Sequence, residues 1–311
     1  MIISASRRTD IPAFYSEWFI NRINDGYLMT RNPMNKYQVG KINLNPELID
    51  CIVFWSKNPA NMIPKLNQLK DYNYYFQFTL NPYPRYIEKG LPPLSELIDT
   101  FKRLSDKIGS KRVIWRYDPI LLTDEISVDY HRREFEKLAS ALQNYTSRCV
   151  ISFIDMYKKC DRNLKPITIR NMTSNDMRMV GYSFSQIAKT YNIEVETCAE
   201  LINLQDMGIR HGKCIDDKLI EKIIQKPLDV KKDKNQRLEC GCVSSIDIGA
   251  YNTCPHHCLY CYANFNYEMV EKNRKLHDVN SPFMIGNNHE KDKVTERKMK
   301  SLVSLEKDWW D

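Results

Sequence analysis

The stretch Tyr251-Asn252-Thr253-Cys254-Pro255-His256-His257-Cys258-Leu259-Tyr260-Cys261-Tyr262-Ala263 carries three cysteines at C-x3-C-x2-C spacing. Three thiolates this close can wrap three corners of a cubane [4Fe–4S] cluster. The fourth iron then lacks a protein thiolate. An open iron can bind a small chelating ligand, whereas a cluster held by four cysteines only passes electrons. His256 and His257 lie between the cysteines and read as loop-filling, hydrogen-bonding side chains, with metal ligation the alternative. Seven of the ten cysteines fall between Cys198 and Cys261. Apart from the trio, these are Cys198, Cys214 and the Cys240-Gly241-Cys242 pair. Those four could close a second [4Fe–4S] cluster. A structural zinc site takes the same donors, and ordinary buried thiols are the third reading. Cys51, Cys149 and Cys160 fit their strand or loop surroundings and read as inert.

Such residues need elements to position them. Short runs rich in β-branched and aromatic residues recur at 2–5, 51–55, 74–78, 112–115, 149–153 and 193–196, as buried strands do. Between them lie stretches of helical spacing. Leu94, Leu97, Ile98, Phe101, Leu104 and Ile108 form one face, closed by Gly109. Phe135, Leu138, Ala139 and Leu142 form another. Alternating strands and helices imply a parallel sheet with right-handed crossovers. About six such units suggest an α/β fold, a partial or full parallel (β/α) barrel. A doubly wound open sheet is the runner-up, but no Gly-rich loop follows the first strand. The expected organisation is a barrel over 1–230, a Cys-rich iron–sulfur segment packed on it over 231–275, and a polar, mobile tail over 276–311. Trp309 and Trp310 close that tail, in a segment that could dock as a short helix.

Polar residues gather just past the strand ends, where a parallel barrel assembles its active face. Arg7, Arg8, Thr9 and Asp10 follow the first strand, and Ser56, Lys57 and Asn58 the second. Gln77 and Thr79 end the third. Arg116 and Asp118 follow the fourth, Asp155 the fifth, and Glu196, Cys198 and Glu200 end the sixth. Helix caps and loop ion pairs use the same residue types. Two adjacent guanidiniums can fork onto a carboxylate or phosphate, and an internal pair with Asp10 or Glu17 is the competing use. Arg7, Arg8, Asp10 and Arg116 are the candidate catalytic residues.

The chain has 311 residues, 42% hydrophobic and 27% charged, and a net charge of +7. This composition excludes disorder throughout. No window approaches eighteen uninterrupted apolar residues, so no membrane partner is expected. Met1-Ile2-Ile3-Ser4-Ala5-Ser6-Arg7-Arg8 lacks the pattern of a signal peptide, so a cytoplasmic location is expected. In that reducing setting the cysteines should not form structural disulfides. The charge permits a nucleic acid without demanding one.

The trio, with the aromatic Tyr260 before its last cysteine, resembles the motif of radical S-adenosylmethionine enzymes. The stretch through Tyr262-Ala263 is most similar to the spore photoproduct lyase branch. Trp55-Ser56-Lys57-Asn58 and Trp115-Arg116-Tyr117-Asp118-Pro119 resemble that branch more faintly. The resemblance implies a barrel and a cluster whose open iron binds the amino and carboxylate groups of S-adenosylmethionine. One electron would cleave the sulfonium C–S bond, and the 5′-deoxyadenosyl radical would abstract hydrogen from a substrate. It also implies an electron donor such as flavodoxin or ferredoxin. Tyr260, Lys57, Glu196 and Glu200 are the candidate cofactor-binding residues. Lys57 and Arg116 could neutralise a carboxylate of S-adenosylmethionine or substrate, and Glu196 and Glu200 could hold ribose hydroxyls or a substrate amine. The motif departs from the family in position: it follows six strand–helix units rather than the first strand, and no Gly-Gly-Glu-Pro stretch is present. Ser244–Gly249 could be the strand that precedes it, making the chain a circular permutation. The chain also resembles a bacterial family known as a domain of unknown function, in its Ser6-Arg7-Arg8-Thr9-Asp10 start and this C-terminal motif. The alternative function is a non-catalytic zinc or iron–sulfur binding or electron-transfer protein. Action on DNA is suggested by the lyase-like motif alone.

Overall fold

The computed structural model describes residues 1–155 and 163–304. Cys160, Trp309 and Trp310 lie outside them. The eleven described strands are β1 (Ile2–Ala5), β2 (Tyr27–Asn32), β3 (Asn35–Asn43), β4 (Cys51–Ser56), β5 (Tyr74–Thr79), β6 (Val113–Ile120), β7 (Arg148–Phe153), β8 (Glu194–Thr197), β9 (Arg210–His211), β10 (Ile246–Asp247) and β11 (Lys293–Glu296). Eight form one sheet in the order β10-β1-β4-β5-β6-β7-β8-β9, and every neighbouring pair is parallel. From β1 to β9 the order advances in one direction. A doubly wound sheet would reverse at a switch point, so the runner-up topology is not this one. Among the described residues no ladder joins β9 to β10. The fold is therefore a mixed α/β, partial-barrel arrangement.

Strand side chains alternate faces, and here both faces are apolar. Ile3, Ile52, Phe54, Phe76, Trp115 and Ile151 point outward into the larger core cluster. Helices Leu94–Ile108, Val128–Leu142 and Ser174–Thr190 cover that cluster with Phe101, Phe135 and Phe184. Phe135 stacks on Trp115 at 4.9 Å and on Phe184 at 3.8 Å between centroids. Fully burying such a side chain contributes about 1.5–3 kcal/mol. Ile2, Cys51, Val53, Tyr75, Ile114 and Val150 point inward and share a second cluster with Ile215 and Val243. Tyr75 Oη and Gln77 Nε2 reach across this interior to the Cys214 carbonyl at 2.5 and 2.9 Å. β5 lies four places from β9 in the sheet, so only a strongly curled sheet brings them together.

A smaller sheet orders β11-β3-β2, with β2 and β3 antiparallel and β11 parallel to β3. It involves residues expected to be a mobile tail. Residues 276–304 instead pack along the body. Phe283 and Met284 are buried, Trp18 Nε1 donates to the Ser281 carbonyl at 2.9 Å, and Arg31 pairs with Asp292 at 2.6 Å. The apolar residues Phe283 and Met284 sit within a polar stretch, which hides their anchoring role in an average over the segment.

Candidate functional site

The C-terminal ends of the parallel strands open into one cavity of about 520 Å³. Its wall includes Arg7, Lys57, Arg116 and Asp118 from the strand ends, and Tyr260 from the Cys-rich loop. All seven clustered cysteines also line it.

β10 sits beside β1, with Ile3 opposite Ile246 and Ser4 opposite Asp247. Asp247 accepts from Ser4 Oγ and Ser6 Oγ at 2.7 Å, Arg7 N at 2.9 Å and Gly249 N at 3.0 Å. This carboxylate ties the start of the chain to the approach of the C-x3-C-x2-C loop. A second tie is Asp10. Its Oδ1 caps helix Ile11–Phe14 by accepting from Ala13 N at 2.9 Å. Its Oδ2 accepts from Lys57 N at 2.8 Å and meets His256 Nε2 at 2.7 Å. Asp10 is thus a clasp between three segments, with both oxygens engaged. Through Nε2, His256 ties the cysteine loop to the start of the chain.

A third tie was missed from sequence. Glu88, 4% exposed, accepts from Lys57 Nζ at 2.8 Å and from Tyr260 Oη. The Lys57 ammonium lies 5.4 Å from the Tyr260 ring centroid. Burial pulls the Lys57 pKa down, but the charges of Glu88 and Cys258 outweigh it, and the ammonium ends above its ordinary value. Residues 87–90 also bond the loop backbone: Gly90 N donates to His256 O at 2.8 Å and Leu259 N to Ile87 O at 3.0 Å. The segment has no periodicity or motif that would have marked it. Burial raises the pKa of Cys254, Cys258 and Cys261 alike, while the Lys57 charge draws Cys258 and Cys261 back down.

Across the cavity, Arg116 forks onto Asp118 Oδ2 with Nε at 3.0 Å and Nη2 at 2.7 Å, and its Nη1 donates to Cys214 Sγ at 2.8 Å. The Arg7 guanidinium lies 5.3 Å from the Trp55 ring centroid. Burial lowers its pKa, but nearby Cys242, Cys214 and Asp247 raise it further, for a net upward shift. Arg7 Nη2, Thr9 Oγ1 and His256 Nδ1 are buried without a hydrogen-bond partner. All three residues line this cavity, and orphaned polar atoms are costly unless a ligand satisfies them. Arg8 is turned toward Gly249 O at 3.4 Å and the Tyr251 ring at 5.1 Å.

Two candidates stand off the cavity wall. Glu196 is opposite Arg210 in register and pairs with Arg210 Nε at 3.0 Å and Arg148 Nη1 at 3.1 Å. These cations hold it among strand neighbours. Glu200 accepts from Phe153 N at 2.9 Å, and burial pushes its pKa up to about 7. Cys51 and Cys149 are buried in the core and are free thiols. Among the described residues no three His, Cys, Asp or Glu side chains are grouped as ligands of one metal ion. A cubane makes a different demand, since each thiolate takes its own iron.

Fold and site together define an α/β protein with a curled parallel sheet and a cysteine-lined cavity at the strand ends. The chain belongs to the family described as Domain of unknown function (DUF1848), whose model matches residues 2–263. That span contains every residue of the cavity wall. No curated protein and no solved structure matches the chain.

Proposed function

We propose that this chain is an iron–sulfur radical S-adenosylmethionine enzyme. The observation that carries the reading is where the C-x3-C-x2-C loop begins. It leaves β10, paired in parallel beside β1, and brings its three thiols and Tyr260 to the cavity shared with Arg7, Lys57 and Arg116. The same pairing supports a circular permutation, in which a strand supplied late in the chain takes the place next to β1.

In this reading Cys254, Cys258 and Cys261 would hold a [4Fe–4S] cluster whose fourth iron is left without a protein thiolate, and the cavity beside it would take S-adenosylmethionine. When bound, the two would supply reductive cleavage of a C–S bond, with one electron from an external donor, and the hydrogen abstraction that follows from it. The chain's own residues bind, orient and shield. Lys57, held cationic by Glu88, keeps positive charge beside Cys258. Asp10 and Glu88 fix the loop from both sides. Arg7 Nη2 offers a free donor to a carboxylate or phosphate in the cavity. A volume of about 520 Å³ falls in the range of small-molecule sites. Flavodoxin or ferredoxin is the class of electron donor implied.

The test is anaerobic reconstitution with iron and sulfide, then addition of S-adenosylmethionine and a strong reductant, with an assay for 5′-deoxyadenosine. Product is expected from the native chain and from none of Cys254→Ala, Cys258→Ala or Cys261→Ala. A loaded cluster that yields no product, and whose spectrum ignores S-adenosylmethionine, would overturn the reading. That outcome would favour a non-catalytic zinc or iron–sulfur binding or electron-transfer protein.

A further inference from the structure

The four clustered cysteines outside the trio come from three separate stretches of chain. Cys198 follows β8, Cys214 follows β9, and Cys240 and Cys242 lie on the return toward β10. They meet on the cavity wall. Cys198 Sγ and Cys214 Sγ are 2.9 Å apart. The Cys242 thiol lies in the field of Cys214, and Cys240 and Cys242 are separated only by Gly241. All four are free thiols. The backbone around them is fixed. Tyr75 Oη and Gln77 Nε2 both donate to Cys214 O, and Ile215 N donates to Cys242 Sγ at 3.3 Å. Gly241 packs so closely that an added Cβ would stand 3.1 Å from Lys213 Cγ.

Two cations face this row. Arg116 Nη1 donates to Cys214 Sγ at 2.8 Å. Arg7 lies in the field of Cys242, Cys214 and Cys240, with Nη2 unpartnered. Four thiolates around a zinc ion, or around an oxidised cubane, leave two net negative charges, which two guanidiniums would match.

We propose that Cys198, Cys214, Cys240 and Cys242 form a second centre, a four-thiolate site for a thiophilic metal. The donor set has no carboxylate or imidazole, which selects zinc or an iron–sulfur cluster over hard cations. Zinc–sulfur bonds of about 2.3 Å set thiolates about 3.8 Å apart, so Cys198 and Cys214 must swing apart on loading. With four protein thiolates the centre has no open position. It therefore binds no S-adenosylmethionine, and it exists whether or not the trio does radical chemistry.

The test starts from the chain carrying Cys254→Ala, Cys258→Ala and Cys261→Ala, purified anaerobically, with zinc, iron and acid-labile sulfide measured per chain. Retention of one zinc, or of iron with equal sulfide, is expected, and the ratio tells the two apart. Adding Cys214→Ser and Cys242→Ser should remove that metal. Absence of metal in the starting variant, after incubation with zinc and separately with iron plus sulfide, overturns the proposal. So does retention after the two Ser changes. If the Ser variant fails to fold, the native chain supplies the second measurement, which is alkylation of each cysteine before and after a chelator. Labelling of Cys198, Cys214, Cys240 and Cys242 should rise at least tenfold, with Cys51 and Cys149 unchanged. Equal change at all six overturns the proposal.

Discussion

His131 is fully buried, its Nδ1 2.7 Å from Tyr117 Oη and its Nε2 2.8 Å from the Leu121 carbonyl. A carbonyl only accepts, so Nε2 carries the proton and Nδ1 accepts from the tyrosine. Burial lowers the pKa from 6.5 to about 4. The unfolded chain therefore binds the extra proton first as pH falls. This stabilising contribution is full above 6.5 and is lost between 6.5 and 4. It is worth about 3 kcal/mol at 1.36 kcal/mol per pH unit. Thermal melts from pH 4 to 7 should show that fall in the native chain and a flatter profile in His131→Gln. The Lys57–Glu88 pair belongs to the same scale, with side-chain exposures of 14% and 4%. Breaking a buried pair by removing one partner costs about 3–5 kcal/mol. Glu88→Ala should lose stability of that order in urea melts. The double variant Lys57→Met with Glu88→Ala should recover part of it, since no unpaired charge stays buried.

At the scale of elements, the Cys-rich loop is held by the segment through Gly90. A Cβ there would stand 2.5 Å from Pro255 O and 2.8 Å from His256 O, both backbone atoms that cannot turn aside. Gly90→Ala should displace the loop, costing about 1–3 kcal/mol. Iron bound after reconstitution should fall while the sheet's circular dichroism persists. Unchanged iron would mean that the loop yields elsewhere. The parallel strands were legible in sequence because both their faces are buried, which writes each as a continuous apolar run. Cys51–Ser56 and Tyr74–Thr79 are the plainest cases. The hairpin of β2 and β3 was not, since Leu28 is the one fully buried residue of β2 and alternation there is weak. β9 and β10, two residues each, are too short for any pattern. The cysteines announced themselves by local spacing. Glu88 could not, because its partners Lys57 and Tyr260 come from distant segments. Glu196 followed the strand-end rule, yet it pairs with Arg210, its register partner, and with Arg148 on the strand at its other side.

On the scale of the whole molecule, residues 276–304 act as a strap. Phe283, 2% exposed, sits under the Arg31 guanidinium at 4.4 Å and beside Met29. Phe283→Ala should cost about 3–5 kcal/mol, visible as a lower urea midpoint. A shift below about 1 kcal/mol would show that the strap adds little. The β1–β10 pairing reaches further, for Ser4 and Asp247 meet across 243 residues. During synthesis the chain emerges from its start, and β1 keeps one open edge until Asp247 has been made. Open edges invite wrong partners, and distant pairings form slowly. Arg7 and Asp10 cannot meet Cys254 until Cys254 itself has been made, so the cavity is completed only after strands β1 to β10, with the strap of residues 276–304 still to follow. A ribosome that stalls after the helix Asp217–Ile224 would release a chain with most of its sheet and no pocket.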